Sequence, residues 1–207
     1  MKDVILTKSL QLFITKGFKT VTMDDIAKEL SISKKTIYSY YNSKESLVKA
    51  SVEFVLDKTS LKLKELAGNC ETPIHEHFEM KNWGAEIFGR DIQASAIYQF
   101  QKYYPKIAEE VNIRRKKDLD NIVIRNLKEG IDKELYRKDI DIEFIANIYF
   151  STTHSFYNNE YIVDMYKKED VKDINFKFIE YHLRGIVTPK GLEILEKLLN
   201  PNIKNEI

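Results

Sequence analysis

The sequence is poor in the residues that form turns. It contains seven glycines and four prolines among 207 residues, which is about 5% where soluble proteins typically have roughly 12%. Few turn-forming residues mean few turns, so long helices are favoured over many short strands. The composition therefore predicts an all-α fold.

The sequence also lacks the features of secreted and membrane proteins. A single cysteine, Cys70, excludes an internal disulfide framework and a cysteine cluster for zinc. The segment MKDVILTKSL at residues 1–10 turns polar too soon for a secretory signal. The longest apolar-rich run, FIANIYF at 144–150, is far shorter than the roughly 20 residues that span a bilayer. We expect a cytoplasmic protein with no membrane contact.

No pattern typical of an enzyme is present. The sequence shows no Ser/His/Asp signature, no phosphate loop and no Rossmann glycine pattern. His75 and His77, in HEHFE, are two positions apart, which places them about 200° apart around a helix and keeps them from sharing a metal ion. We predict no catalytic residues, no metal and no cofactor.

Positive charge is concentrated at the amino-terminal end. Residues 1–50 contain nine lysines, no arginine and five acidic residues, a net charge of +4, so the remainder carries −3 within the total of +1. A basic end on a mildly acidic body suggests that this end meets a polyanion.

Hydrophobic periodicity and capping signals predict nine to ten helices. Gly17 is placed to end the first helix, and Thr22 with Asp25 forms a capping signal for the second. Ser33 and the pair Thr72–Pro73 mark later starts. The predicted helices cover approximately 3–16, 23–30, 34–40, 43–66, 73–88, 91–103, 106–129, 141–158, 171–187 and a last segment after Thr188–Pro189.

The two short helices at 23–40 predict a helix-turn-helix. In that motif the first helix crosses the phosphate backbone of double-stranded DNA and the second lies in the major groove. The residues spaced to bury the seam between them are Ile26, Ala27, Leu30, Ile32 and Ile37. The residues left to face the DNA are Lys34, Lys35, Thr36, Tyr38, Ser39 and Tyr40.

The three tyrosines of TIYSYY are predicted to divide into two roles. Tyr38 and Tyr40 face DNA, and Tyr41 packs inward against the first helix and its Phe13. The alternative is that all three are core aromatics of a purely structural hairpin.

The helix-turn-helix segment resembles that of a known family. TMDDIAKELSISKKTIYSYYNSKESL, residues 22–47, is similar to the DNA-binding signature of the tetracycline-repressor-like (TetR/AcrR) transcription regulators, and LQLFITKGFKT before it resembles that family's first helix and turn. The resemblance implies a helix-turn-helix domain at 1–46 and a helical ligand-binding and dimerisation domain at 47–207.

The resemblance also implies a set of DNA contacts. Thr22 and Tyr38 would bind phosphates, and Lys44 would anchor the next helix to the DNA backbone. The groove-reading positions would be Lys34, Lys35, Thr36, Ser39 and Tyr40. One departure lies in the turn, where Ser31 replaces the usual glycine and would adopt a positive φ at a cost of about 1 kcal/mol.

Two carboxyl-terminal helices are the predicted dimer interface. The helix at 171–187 is apolar around most of its circumference, so it needs cover on two sides. With the helix at 141–158 it would form the four-helix interface that the resemblance implies. The residues assigned are Ile145, Tyr149, Thr152, Phe156, Ile174, Phe178, Tyr181 and Gly185. A wholly intramolecular core is the alternative.

Aromatic residues are abundant in the second domain and suit a pocket for a small hydrophobic or amphipathic effector. The residues assigned to it are Trp83, Phe88, Tyr98, Phe100, Tyr103, Tyr149 and Phe150. The resemblance implies a repressor that binds a palindromic operator as a homodimer, associates with the nucleoid when bound, and is released by the effector. The alternative is a DNA-binding protein controlled by a protein partner, or one that organises the chromosome.

Overall fold

The protein is all-α. The structure, a computed structural model, describes residues 1–88, 94–158 and 171–200, and these contain ten helices and no strand. One isolated antiparallel bridge joins Tyr136 to Val187. The helices are α1 Lys2–Lys16, α2 Met23–Glu29, α3 Lys34–Tyr38, α4 Lys44–Asn69, α5 Pro73–Phe88, α6 Ala94–Tyr103, α7 Pro105–Asp132, α8 Ile142–Asn158, α9 Val171–Ile186 and α10 Pro189–Leu199. The predicted fold class is confirmed.

The helix ends follow the local signals in the sequence. Gly17 closes α1 with φ of 97°, and its N–H donates to the carbonyl of Phe13. Thr22 and Ser33 cap α2 and α3 through their side-chain oxygens. Thr188 caps α10 in the same way, with Pro189 in the first turn. These four predicted boundaries are confirmed because the chemistry that sets them lies within a few residues.

The turn between α2 and α3 is tight. Ser31 has φ of 54°, the left-handed conformation that usually requires glycine, so the predicted positive φ is confirmed. Its N–H donates to the carbonyl of Lys28, and the N–H of Ile32 donates to that of Ala27.

The chain divides into two compact units. Unit 1 combines Met1–Leu61 with the described part of Arg90–Lys116, and unit 2 combines the described parts of Lys62–Gly89 and Lys117–Ile207. Helices α4 and α7 run through both. The predicted functional boundary at residues 46–47 falls near the start of α4 and stays a prediction.

Unit 1 has a single apolar core, to which the first four helices, α6 and α7 all contribute. Phe13, Ile26, Ile37 and Leu47 are completely buried in it. The residues of the predicted seam, including the partly buried Leu30 and Ile32, belong to the same cluster. The helix-turn-helix is therefore held by one continuous core.

Unit 2 has its own core, which α5, α7, α8, α9 and α10 build together. Ile74, Leu127, Leu183 and Leu195 are completely buried there.

Candidate DNA-binding surface

Helix α3 ends at Tyr38, two residues before the predicted end, and Tyr40 and Tyr41 follow it. Two of these three tyrosine rings lie on the surface and the third lies inside. Tyr38 is 42% exposed and Tyr40 is 45% exposed, whereas Tyr41 is only 5% exposed. Tyr41 belongs to the core cluster that contains Phe13, and burial raises the pKa of its hydroxyl. The predicted inward position of Tyr41 is confirmed. The two exposed rings form a surface at the end of α3 that can make both apolar contacts and hydrogen bonds.

Hydroxyl groups along α3 are used to hold the helix together. The hydroxyl oxygens of Ser33 and Thr36 are 2.8 Å apart, and the Thr36 N–H donates to the Ser33 hydroxyl oxygen. The Ser39 hydroxyl donates to the Thr36 carbonyl at 2.7 Å. Of the predicted groove-reading residues, Ser39 therefore has acceptor capacity to offer DNA, since its proton is already engaged.

The two lysines at the start of α3 differ in their surroundings. The Lys34 ammonium binds the Asp24 carboxylate at 2.7 Å, which links α3 to α2 and raises the pKa of Lys34. This pair is exposed, so its attraction is weak enough for a phosphate to compete with it. Lys35 is exposed on the same turn. A DNA duplex bound along α3 would therefore lie next to two positively charged side chains.

Thr22 forms both halves of a capping box with Asp25. The Asp25 N–H donates to the Thr22 hydroxyl oxygen at 3.2 Å, and the Thr22 N–H donates to the Asp25 carboxylate at 2.8 Å. The Thr22 hydroxyl itself donates to Asp25 at 2.7 Å, and these bonds hold the pKa of Asp25 below its usual value. Thr22 thus fixes the start of α2. A contact of Thr22 with a phosphate stays a prediction.

Lys44 connects two parts of unit 1. Its ammonium donates to the Lys19 carbonyl at 3.1 Å and lies 5.9 Å from the centre of the Phe13 ring. Partial burial lowers the pKa of Lys44. The start of α4 is therefore tied to the turn between α1 and α2, a contact that sequence reasoning missed because it joins residues far apart in the chain.

Helix α6 supports the same turn. The Gln99 carbonyl oxygen accepts a hydrogen bond from the Lys19 N–H at 3.3 Å. A Cβ atom added to Gly17 would lie 2.6 Å from that oxygen, so a larger residue would displace the Gln99 side chain, and it would also be strained at the φ of 97°. No local pattern in the sequence signals Gln99, since its partner lies 80 residues away.

The residues assigned to an effector pocket fall in both units. Tyr98, Phe100 and Tyr103 lie in unit 1, where Phe100 packs on Phe18 at 5.0 Å between ring centres. Tyr98 is 50% exposed and Tyr103 39% exposed, beside Lys102.

The remaining pocket residues belong to unit 2. Tyr149 is buried, Trp83 and Phe150 are half-buried, and Phe150 stacks on His154. The Phe88 side chain lies outside the described residues. A shared pocket for these residues stays a prediction.

The residues assigned to the dimer interface divide between core and surface. Tyr149, Phe156 and Ile174 are buried in unit 2. Ile145 and Phe178 pack against its core, and Thr152 is half-buried. Tyr181 is 76% exposed and Gly185 is also exposed.

Sequence reasoning missed an exposed apolar stripe on α8. Phe144 is 59% exposed and Ile148 is 44% exposed, and Ser151 continues the same face one turn later. Periodicity could not identify it, because α8 is apolar on two sides and only packing shows which one is covered.

Two further features of the described part of the chain bear on function. No group of three or more histidine, cysteine, aspartate or glutamate side chains is arranged there to hold a metal ion. Within the same ranges, no helix combines the length and apolar character required to cross a bilayer.

A capped two-helix unit with a tight turn and an exposed second helix defines the class: a helix-turn-helix protein of the kind that binds DNA. Residues 5–51 match the family described as "Bacterial regulatory proteins, tetR family". The match is confined to this amino-terminal segment, and it confirms the resemblance inferred from residues 22–47.

Curated relatives match over the same region. The chain is 42% identical over 53 residues to the biofilm operon icaADBC HTH-type negative transcriptional regulator IcaR of Staphylococcus epidermidis, covering 26% of this chain and 29% of that protein. It is 40% identical over 57 residues to IcaR of Staphylococcus aureus strain Newman, covering 28% and 31%. The match thus spans less than a third of these relatives.

Solved structures share the fold over most of the chain. The reduced form of Escherichia coli NemR superposes with a TM-score of 0.72 at 13% identity, over 91% of this chain and 98% of that one. The regulator FadR of Bacillus subtilis, in complex with stearoyl-CoA, gives 0.69 at 17% identity, over 88% and 97%. At these identities the likeness establishes the fold alone.

Proposed function

We propose that the protein is a transcriptional repressor that binds a palindromic operator as a homodimer and is released by a small molecule bound in its carboxyl-terminal domain. The observation that carries the DNA-binding part is the outer face of α3. Lys35 and Tyr38 on this helix, with Tyr40 in the turn just after it, are exposed to solvent. The inner face of the helix is fixed by the completely buried Ile37. Such a helix can enter a major groove without disturbing its own core.

The repressor role is supported by the relatives. The staphylococcal IcaR proteins are described as negative transcriptional regulators, and they match this chain across its DNA-binding segment. Binding to an operator that overlaps a promoter is a sufficient mechanism for repression, because a bound protein excludes polymerase from the same DNA.

The homodimer is supported by the exposed stripes on α8 and α9. These helices pack together through Tyr149 and Phe178, whose ring centres are 5.7 Å apart. We assign the pairing surface to Phe144 and Ile148 on α8 with Tyr181 and Gly185 on α9, because these are the positions that their own unit leaves exposed. Large apolar side chains and small residues side by side suit close helix packing between two copies.

Release by a small molecule is supported by the aromatic content of unit 2. Stearoyl-CoA was found in complex with FadR, a regulator whose fold this chain shares. A molecule that binds better to a conformer unable to place both α3 helices on their half-sites would shift the population away from the DNA-bound form.

Selection of bound duplexes from a random pool tests the proposal. We expect an inverted repeat whose half-site centres are separated by about 34–36 Å or a multiple of it. Failure to enrich any duplex would contradict the assignment of α3 to DNA.

A matched pair of variants tests the dimer in the same experiment. Ile148→Glu should give a monomer and lose preference for the repeat. Ile113→Glu, which changes an isoleucine that is 64% exposed in unit 1, should leave both unchanged. A monomeric wild-type chain in sedimentation would contradict the pairing.

A further inference from the structure

Unit 2 buries a row of polar side chains in its centre. Glu76 and His77 on α5, Asn126 on α7 and His182 on α9 are between 2% and 7% exposed. Buried polar groups are normally hydrogen-bonded, so each of them needs a partner.

One end of this row is complete. Glu76 pairs with Arg125. Asn126 donates to the Pro73 carbonyl at 2.9 Å and accepts from the hydroxyl of the completely buried Tyr136 at 3.1 Å. These contacts join α5 to α7 and explain why the polar groups are tolerated there.

The other end is incomplete. The Nε2 atoms of His77 and His182 are both buried and have no hydrogen-bond partner in the protein. The two imidazole rings lie 5.8 Å apart between centres, and each lies against Tyr149, at 5.4 Å and 5.0 Å. Two unsatisfied nitrogens brought together by helices α5 and α9 indicate a place where a polar atom from outside the chain would be stabilised.

The protonation state of the pair restricts what that atom can be. Burial lowers the pKa of His77 to about 3 and that of His182 to about 4, so both rings are neutral at neutral pH. A neutral imidazole carries one N–H donor and one acceptor nitrogen. A hydroxyl group can both donate and accept, so one hydroxyl can satisfy both rings, whereas an ion would lose its hydration without gaining a counter-charge from them.

The side chains around the two histidines favour a ligand that carries an aromatic ring. Tyr149 and Phe178 pack on His182 at 5.0 Å and 5.8 Å, and Phe156 packs on Phe178 at 5.8 Å. Aromatic rings pack well against one another in offset and edge-to-face arrangements.

We propose that the Nε2 atoms of His77 and His182 bind the hydroxyl group of a small neutral phenol within unit 2. This inference rests on the proposed function, because it names the class of molecule that would release the DNA. The rings lie only 5.0–5.8 Å apart, so insertion of a further ring separates α5, α8 and α9. Binding is thereby coupled to the arrangement of the helices that carry the proposed dimer surface.

The chain has four histidines, which makes ¹⁵N labelling of imidazole a direct test on the full-length protein. The probe is p-cresol, and the matched control is p-xylene, which has the same shape with a methyl group in place of the hydroxyl. We expect p-cresol to shift the Nε2 resonances of His77 and His182 saturably, with His75 and His154 unchanged. Addition of p-xylene should not produce this shift.

A substitution separates the polar contact from general packing. His182→Phe keeps a ring at this position and removes the unpaired nitrogen, so it should fold at least as stably as the wild type. We expect it to weaken p-cresol binding at least tenfold. His75→Gln, at a half-buried position of α5, should bind p-cresol normally.

The outcomes distinguish this site from the proposed function. Absence of a selective shift, or His77 and His182 nitrogens already bonded to a water that p-cresol does not displace, would overturn the site. Selective binding that leaves operator affinity unchanged would support the site and overturn its role in release. Failure of the chain to bind any duplex would refute the proposed function without affecting the nitrogen shifts.

Discussion

Tyr38 and Tyr41 are three positions apart on one short segment, and the core decides what each can do. Tyr41 is 5% exposed, so its ring contributes burial and its hydroxyl is inaccessible to DNA. Tyr38 is 42% exposed and keeps its hydroxyl available. The same residue type therefore serves stability at one position and, in the function we propose, DNA binding at the other.

Replacement of Tyr38 by phenylalanine should weaken operator binding about tenfold. A hydrogen bond to a charged group contributes about 1.5 kcal/mol or more, and the ring is retained. We expect the loss to be equal for all sequences, with no change in the slope of affinity against salt, because no charge is removed. Fluorescence anisotropy with several duplexes at three salt concentrations measures both quantities.

Tyr98→Phe is the control. Tyr98 is 50% exposed on α6 of the same unit, and its replacement should leave operator affinity measured without effector unchanged. A Tyr38→Phe variant that changes the order of preference among duplexes would show that Tyr38 reads bases, contrary to its assignment to phosphate.

Some positions of the candidate sites could be predicted from the sequence and others could not. The orientations of Tyr38 and Tyr41 could be predicted because helical periodicity separates the inner from the outer face within a few residues. The contact of Lys44 with the Lys19 carbonyl could not, because it depends on how α4 approaches a turn 25 residues earlier. His77 and His182 meet only through the packing of α5 on α9, and neither position carries a local signal.

At the scale of elements, short helices depend on their caps. Helices α2 and α3 contain seven and five residues, too few to be stable alone. Their caps and the core of unit 1 together hold the geometry of the helix-turn-helix. The exact start of α2 was predictable from Thr22 and Asp25, whereas its attachment to α1 by the pair of Lys8 and Glu29 at 2.8 Å was not.

Thr22→Ala should destabilise the protein by about 1 kcal/mol, the typical effect of removing a threonine cap. The substitution leaves the N–H of Asp25 without its acceptor and the Asp25 carboxylate with one donor fewer. Urea unfolding followed by circular dichroism measures the change.

Two companion variants test the assignment to the cap. Thr22→Ser preserves the hydroxyl and should restore most of the stability. Thr20→Ala, at an exposed position of the preceding turn, should change it by less than about 0.5 kcal/mol. Equal losses from Thr20→Ala and Thr22→Ala would contradict the capping role.

At the scale of the whole molecule, the described residues form two units with different stability determinants. The proposed DNA-binding face and its supporting contacts belong to unit 1. The buried polar row and the exposed stripes of α8 and α9 belong to unit 2. The all-α class was predictable from composition, but the division was not, because α7 contributes to both cores and α4 and α7 each continue without interruption from one unit into the other.

The two buried histidines should make the protein sensitive to acid. In the folded state the pKa of His77 is about 3 and that of His182 about 4, whereas in the unfolded chain both lie near 6.5. The unfolded chain therefore binds more protons below pH 6.5, so the free energy of unfolding falls as the pH is lowered from about 6.5 towards 3–4. At pH 5 the expected loss is about 2 kcal/mol for each histidine, relative to pH 8.

Glu76, in the same buried row, changes the free energy of unfolding in the opposite direction as the pH falls. Burial raises the pKa of Glu76, so its contribution to stability increases as the pH falls through that pKa. The comparison with His182→Phe removes this background, because Glu76 is present in both proteins. Urea unfolding at pH 8, 7, 6 and 5 should show a shallower loss for the variant, by about 2 kcal/mol at pH 5. If the two proteins lost stability in parallel, His182 would have to be accessible to protons in the folded state, and it could not be the neutral, buried partner that the proposed phenol site requires.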